Sequence, residues 1–462
     1  MTDLTLAMGA ADHAALKAHL FPGDGLEAAA ILICGRAGDK AQRLCVSSVI
    51  PISHNDCKRR TPTRIDWPGE YLDQAIEAAD AMNGSILLTH SHPGGFLGFS
   101  HFDDDSDALT IPSLVHGSAD EAVRHGSAVM VPDGSMIARI YNEHMAPQAI
   151  SRVWRLGHNM KDIARQNTAP VLPFSSSMMK VVNTMTACVV GASGTGSPTI
   201  EMLARMGFGR MVIIEFDRME LRNLNRILNS TVDDAKAGAL KVDVMERGAQ
   251  SHRPDIQIIK VPTSIDQEGA IIAASGADVL FCCVDTMEGR LYCDLIAESC
   301  LIPLIDIGVM IPTRTAEDGS EIADVVARID YIQPGGATLR DRGEITGEGL
   351  AAEDLRRTDP ETYARQLDEG YIRGVVEEAP SVIALNMHAA SLGVMELIAR
   401  LFPYRHDSNG SHDRIFLSLA AMETDFEQSE QPRNNPLSIF GQGLKYPLLG
   451  MPSLTDKRRG TA

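Results

Sequence analysis

The stretch TACVVGASGTGS, residues 186–197, decides how the longer half of the chain folds. A short apolar run ends at Gly191, and glycines at 191, 194 and 196 follow where a strand would turn into a helix. Glycines there let the backbone approach a phosphate, whose charge then sits on the helix amino terminus. On the carboxyl-terminal side, MVIIEFD (211–217), IQIIKVP (256–262), ADVLFCCVD (277–285) and IPLIDIGV (302–309) are apolar runs separated by helical stretches. That alternation is the signature of a doubly wound, mostly parallel sheet, so an α/β domain is expected from about residue 180 to 405.

The glycine turn alone leaves a dinucleotide site open. Ser193 stands where such a site has glycine, yet Glu215 ends the second strand where an acidic residue holds a ribose. The downstream residues separate the two. Asn223-Leu-Asn225-Arg226, Gly238-x-x-Lys241 and Asp285 at the tip of an apolar strand supply cations for a triphosphate and a carboxylate for magnesium. Transfer of AMP from ATP to a carboxylate needs both, and hydride transfer needs neither.

These elements, in this order, resemble the Rossmann-like E1 adenylation domain of the ThiF, MoeB and ubiquitin-activating family over about residues 160–405. The resemblance implies ATP and magnesium as cofactors. It places Gly191, Gly194 and Gly196 at the nucleotide, Arg226 and Lys241 on the phosphates with Asn223 beside them, and Glu215 on the ribose with Asp217 as the alternative. Asp285 would hold magnesium, and Arg165, in ARQNTAP, would be supplied by the second subunit of a homodimer. The chain departs from the family in having no cysteine after Cys300 and no CxxC pair. Ala337 and Thr338 occupy the segment where a thioester-forming thiol is expected. Adenylation without an internal thioester is the favoured account. A thioester on Cys293 or Cys300 and an oxyester on Thr338 are the others.

In the amino-terminal half, AAAILICG (28–35), RLCVSSVIPI (43–52), SAVMVP (127–132) and MIARIY (136–141) read as strands. PGEYLDQAIEAADAMNG (68–84) reads as an amphipathic helix, with proline at its start and glycine at its stop. A small α+β domain follows for residues 1–146. Within it, SILLTH (85–90) delivers His90, and His92 lies two residues on, so the two imidazoles leave one face of a strand. Ser100-x-x-Asp103 spans about one helical turn and returns a carboxylate toward them, although it is also an ordinary capping box. Two His and one Asp make an open zinc site with water in the fourth position. Glu27, just before the first of these strands, is the candidate general base, and Ser100 the candidate donor to a developing oxyanion.

An upstream Glu followed by H-x-H-P-x6-S-x-x-D resembles the JAMM metalloproteases of the JAB/MPN fold, isopeptidases acting on ubiquitin-like proteins, over roughly residues 5–145. The two resemblances imply one substrate class: a ubiquitin-like or sulfur-carrier protein with a flexible carboxyl-terminal tail, which one domain cleaves and the other adenylates. An E2-like or sulfur-transfer partner would accept the product. A peptidase with a purely regulatory nucleotide domain, a dehydrogenase-like second domain and a decayed scaffold are the competing accounts.

Composition narrows the classes further. With 42 basic and 61 acidic residues the net charge is −19, which lacks the positive field that nucleic-acid phosphates require. The 8 cysteines are scattered, against a disulfide framework. No stretch approaches the ~18 apolar residues of a membrane span and the start lacks a signal-peptide pattern, so a cytoplasmic protein without membrane partners is expected. Residues 147–179 are expected to be a linker with some helix. Residues 406–462 are expected to be an extension, partly disordered or partner-binding, their end rich in Pro, Asn, Gln and Ser.

Overall fold

Alternate residues of the strand Ala29–Ala37 feed two separate apolar cores: Ala30, Leu32 and Cys34 lie in one, Ala29, Ile31 and Ile33 in the other. A strand buried on both faces needs helices on both sides, and the first unit supplies them. The computed structural model describes residues 4–120, 122–166, 171–316, 319–369, 382–428 and 437–455. It divides the chain into two units, residues 1–170 with 298–302 and 434–462, and residues 171–297 with 303–433.

The first unit runs β1 (Thr5–Gly9), α1 (Ala10–Leu20), β2 (Ala29–Ala37), β3 (Arg43–Pro51), a hairpin of β4 (Arg59–Thr61) and β5 (Arg64–Asp66), α2 (Glu70–Asp80), β6 (Ser85–Ser91) and α3 (His101–Gly117). It continues with β7 (Gly126–Met130), β8 (Met136–Tyr141), β9 (Pro147–Ala149), β10 (Arg152–Leu156) and β11 (Met160–Asp162). Nine strands form one sheet in the order β11-β10-β1-β3-β2-β6-β7-β8-β9. Leu16 and Leu20 of α1 enter the core on one face; Ala75 and Ala79 of α2 and Ile111 and Leu114 of α3 enter the core on the other.

The second unit begins with α4 (Ser176–Val182), β12 (Thr186–Val190), α5 (Gly196–Met206), β13 (Arg210–Ile214), α6 (Val232–Ala237), α7 (Lys241–His252), β14 (Gln257–Val261) and α8 (Glu268–Ser275). It continues through β15 (Val279–Cys282), α9 (Met287–Ser299), β16 (Leu304–Met310), a hairpin of β17 (Thr313–Ala316) and β18 (Gly319–Ile322), and β19 (Val326–Ile332). Helices α10 (Gly347–Thr358), α11 (Pro360–Asp368) and α12 (Ile383–Leu401) and strands β20 (Arg414–Ser418) and β21 (Glu423–Glu427) complete it. The sheet order is β14-β13-β12-β15-β16-β19-β20-β21, parallel through β16 and antiparallel beyond. This is the doubly wound, Rossmann-like arrangement, with its strand order reversing at β12.

Boundaries differ from the expected ones in two places. Residues 147–162, read as the start of a linker, form three strands of the first sheet, because β10 pairs in parallel with β1 along its length. Of the segment 406–462, β20 and β21 extend the second sheet, whereas residues near 441 pack on the first unit: the Gly35 amide donates to the Gly441 carbonyl and the Leu444 amide to the Arg36 carbonyl. Both differences rest on pairings between distant parts of the chain, which no local pattern displays. The run APSVIALNMHAASLGVMELIARLF (379–402) reads as one long buried helix; its first three residues, 379–381, lie outside the described residues.

Candidate functional site

The first site is assembled on β2, β6 and the start of α3. His90 and His92 project from the same side of β6 and the residue beyond it, and their Nε2 atoms lie 3.1 Å apart. Asp103 completes the group: its Oδ1 is 3.0 Å from His90 Nε2 and its Oδ2 3.5 Å from His92 Nε2. Among the described residues this is the only trio of His, Cys, Asp or Glu found to converge in this way, with ligand atoms all within 4.8 Å of one another. His92 Nδ1 lies 2.8 Å from the Phe96 carbonyl oxygen, which can only accept. Nδ1 therefore carries a proton, and Nε2 is the ring nitrogen turned to the cluster, the orientation usual for a metal-ligating imidazole.

Asp103 also completes the capping box of α3, so the two readings of Ser100-x-x-Asp103 are one structure. The Ser100 amide donates to Asp103 Oδ2 at 2.5 Å, and Ser100 Oγ accepts from the Asp103 amide at 3.3 Å, which leaves the Ser100 hydroxyl proton to donate elsewhere. Burial favours the neutral carboxyl of Asp103, but hydrogen bonds from His90 and His92 outweigh it and hold the group far below the usual carboxylate range. The neighbouring acids are engaged elsewhere: Asp104 and Asp107 both bind Arg139, at 2.6 and 2.7 Å.

Glu27 is buried and lines a cavity of about 600 Å³ together with His90 and Asp103. Burial pushes its carboxyl up, against the opposing pull of His90 and His92. Two contacts that sequence reasoning did not supply place it. Ser91, between the histidines, points the other way, and its Oγ accepts from the Ala28 amide at 2.9 Å. Arg60, on β4, donates to the Glu27 carbonyl at 2.9 Å. The alternation that sends the histidines to one face sends Ser91 to the other, which was the available signal. The cavity wall adds Ile65, Trp67, Leu72, Phe102 and Leu109 beside Thr63, Arg64, Asp66 and Asp105, so the cluster opens onto a cleft of mixed apolar and polar lining.

The second site lies at the carboxyl end of β12. Gly191 has a φ of +90° and packs against the end of β15: a Cβ there would stand 2.7 Å from the Cys283 carbonyl oxygen and 3.3 Å from the Val284 nitrogen. Asp285, exposed, follows directly. A Cβ on Gly196 would meet the Gly191 carbonyl oxygen at 1.9 Å, and one on Gly194 the Asn386 Nδ2 at 2.4 Å, so each glycine answers a close approach. Lys241 Nζ donates to Ser193 Oγ at 2.8 Å and to Asp217 Oδ2 at 2.7 Å. Glu215 is buried, and its two oxygens accept from the Ala192 and Asp217 amides, both at 3.0 Å. Each oxygen keeps a lone pair for a hydroxyl.

The loop of Asn223 and Arg226 docks on α5, where Ser197 Oγ accepts from the Leu228 amide at 3.1 Å. Asn223 is buried and its Oδ1 accepts from the Glu220 amide, so part of it serves the loop itself. Arg226 donates to the Arg222 carbonyl and to Asn225, within its own loop. Arg165 belongs to the first unit and is exposed. The donor set suits a nucleotide triphosphate with a divalent cation: a glycine turn, one lysine on it and an exposed carboxylate beside it. Thr338 is buried, with its hydroxyl donating to Asp341 at 2.8 Å, and Cys293 and Cys300 are buried as well. None of the three presents a free nucleophile. Among the described residues no helix is long and apolar enough to cross a membrane.

Comparison with known proteins agrees with this division. Residues 10–161 match the prokaryotic homologs of the JAB domain, and residues 165–411, more than half of the chain, match the ThiF family. The ubiquitin-like modifier-activating enzyme 5 of Xenopus laevis is 32% identical over 122 residues, covering 24% of this chain and 30% of that protein. Its counterpart in Bombyx mori is 26% identical over 196 residues, covering 37% and 46%. The chain thus spans less than half the length of these curated relatives. Among solved structures, E. coli MccB with ATP aligns at 16% identity and a TM-score of 0.41, covering 57% of this chain and 68% of that one. On the extent of the second match the chain belongs to the ThiF family, E1-like in kind, and it carries a prokaryotic JAB-type domain ahead of the ThiF region.

Proposed function

We propose that the chain processes and activates the carboxyl-terminal tail of a ubiquitin-like or sulfur-carrier protein, hydrolysing a peptide or isopeptide bond in the first unit and adenylating the exposed carboxylate in the second. The observation that carries the reading is the convergence of His90, His92 and Asp103 in a chain whose larger part is of the ThiF family.

In the first unit His90, His92 and Asp103 would hold zinc. Bound there, zinc supplies a Lewis acid that makes water acidic near neutral pH and polarises a carbonyl. The chain's own residues do the rest. Glu27, with its raised pKa, takes the proton of the attacking water and returns it to the leaving amine. The Ser100 hydroxyl donates to the carbonyl oxygen as charge develops on it. The apolar side chains of the cleft, Trp67 and Phe102 among them, would pack on the tail.

In the second unit the tail carboxylate attacks the α-phosphorus of ATP, and pyrophosphate leaves. Lys241, released from Asp217, neutralises phosphate charge, Arg226 swings from its loop to do the same, and Glu215 or Asp217 holds the ribose. Asp285 would hold magnesium, whose charge would offset that of the phosphates. Asn223 supports the phosphate side, and Arg165 of a second copy in a homodimer completes the site. Engagement of Thr338 and burial of the cysteines favour release of the adenylate to an acceptor in trans, an E2-like or sulfur-transfer protein, without an internal ester.

The test uses the full chain with a ubiquitin-like protein ending in Gly-Gly, supplied both free and with a carboxyl-terminal extension. Expected are zinc in the purified protein, cleavage of the extension lost in Glu27→Gln, and ATP–pyrophosphate exchange lost in Asp285→Ala. Cleavage without exchange in the unmutated chain would leave the nucleotide domain a regulatory role only.

A further inference from the structure

The loop between β15 and α9 carries Asp285 and is held from both ends. On one side Arg290 Nη2 donates to the Val284 carbonyl at 3.0 Å, and its Nε lies 3.2 Å from Asp306 Oδ1. Asp306 is fully buried and binds Arg328 at 2.5 Å; Arg328 in turn binds buried Asp330, which takes Arg342 and Arg414 at 2.8 Å each. The carbonyl next to Asp285 is thus fastened to a chain of alternating charges under β16, β19 and β20.

On the other side, the first amides of α9 need acceptors. Thr286 Oγ1 takes the Gly289 amide at 3.2 Å, as a local cap does. The two amides before it go to a residue far along the chain: Glu353, on α10, accepts from the Met287 amide at 2.7 Å and from the Glu288 amide at 2.9 Å. This bidentate carboxylate sits at the positive end of the α9 dipole. It also occupies what Asp285 would otherwise take. An aspartate readily accepts from the amide two residues on, and for Asp285 that amide is Met287.

We propose that Glu353 is a positioning residue for Asp285: by occupying the Met287 and Glu288 amides it keeps the Asp285 carboxylate from capping α9 and leaves it free for a cation. The proposal rests on the reading of Asp285 as the magnesium carboxylate. Met287 also packs on Gly349, and Glu288 lies 3.4 Å from Arg357, but no residue of helix α10 is fully buried, so Glu353 can be changed without opening a core.

The experiment is equilibrium binding of a non-hydrolysable ATP analogue to the full chain as magnesium is titrated, for the unmutated protein, Glu353→Ala and Glu353→Gln, with amide exchange over residues 286–289 as a second readout. Expected for Glu353→Ala are faster exchange in that segment with the sheet strands unaltered, and about a tenfold higher magnesium concentration for half-maximal binding, the range for outer partners of metal ligands. Glu353→Gln, whose amide oxygen still accepts, falls between. An unshifted magnesium dependence in Glu353→Ala overturns the proposal while the adenylation reading stands. Magnesium-independent or absent nucleotide binding in the unmutated protein overturns both.

Discussion

Glu27 is where the proposed hydrolysis is most exposed to a single change. Glu27→Gln keeps the shape and removes the base, so hydrolysis falls by about 10²-fold or more while zinc content stays unchanged. Burial raises its pKa and zinc beside it would lower it, and kcat/KM declines as pH falls through the value that results. A second residue titrates through stability instead. His125 is buried with its Nδ1 accepting from the Ile86 amide at 3.1 Å and its Nε2 3.1 Å from Ser118 Oγ, and burial lowers its pKa from 6.5 to about 4. Protonation would set an Nδ1 proton against the Ile86 amide. The folded state prefers the neutral ring, so its stabilisation is complete above pH 6.5 and is lost as pH falls toward 4, by about 3 kcal/mol in all. Chemical denaturation at pH 7 and pH 4 should show a steeper acid loss for the unmutated chain than for His125→Gln. The convergence of His90, His92 and Asp103 and the glycine turn were legible in the sequence because strand period and capping-box spacing are local. Ser91 and Arg60, which place Glu27, were not read, since each acts on a residue more than thirty positions away.

Helix α3 depends on one buried ionic knot. Asp107 is 4% exposed and accepts from Arg139, Ser127 and Tyr141, while Arg139 also reaches Asp104 and lies 3.8 Å over the Phe99 ring. Arg139→Met leaves Asp107 buried without its cation and should cost about 3–5 kcal/mol, measured as a shift in denaturation midpoint. Arg139→Met combined with Asp107→Leu should recover much of that loss, because an apolar pair leaves no charge unpaired. Elements with strong periodicity were readable, and the helix expected over 68–84 is found as Glu70–Asp80. Strand β10 and helix α1 were missed. RVWRL is short and pairs with β1 from the far side of the domain, and α1 follows β1 without an N-cap side chain to announce it.

At the scale of the whole molecule the two sites stand in different units, and their activities should separate. Chelation of zinc, or His92→Ala, should remove hydrolysis and leave ATP–pyrophosphate exchange within about twofold, and Asp285→Ala should do the reverse; loss of both in either variant would contradict independent sites. The first unit is also closed by residues from the other end of the chain: Ser47 Oγ donates to the Phe440 carbonyl at 2.9 Å, and a Cβ on Gly35 would meet the backbone of Gln442 at 2.3 Å. On a ribosome, then, the nascent first unit must wait, its last seam unsewn, until the segment around residue 440 has been translated.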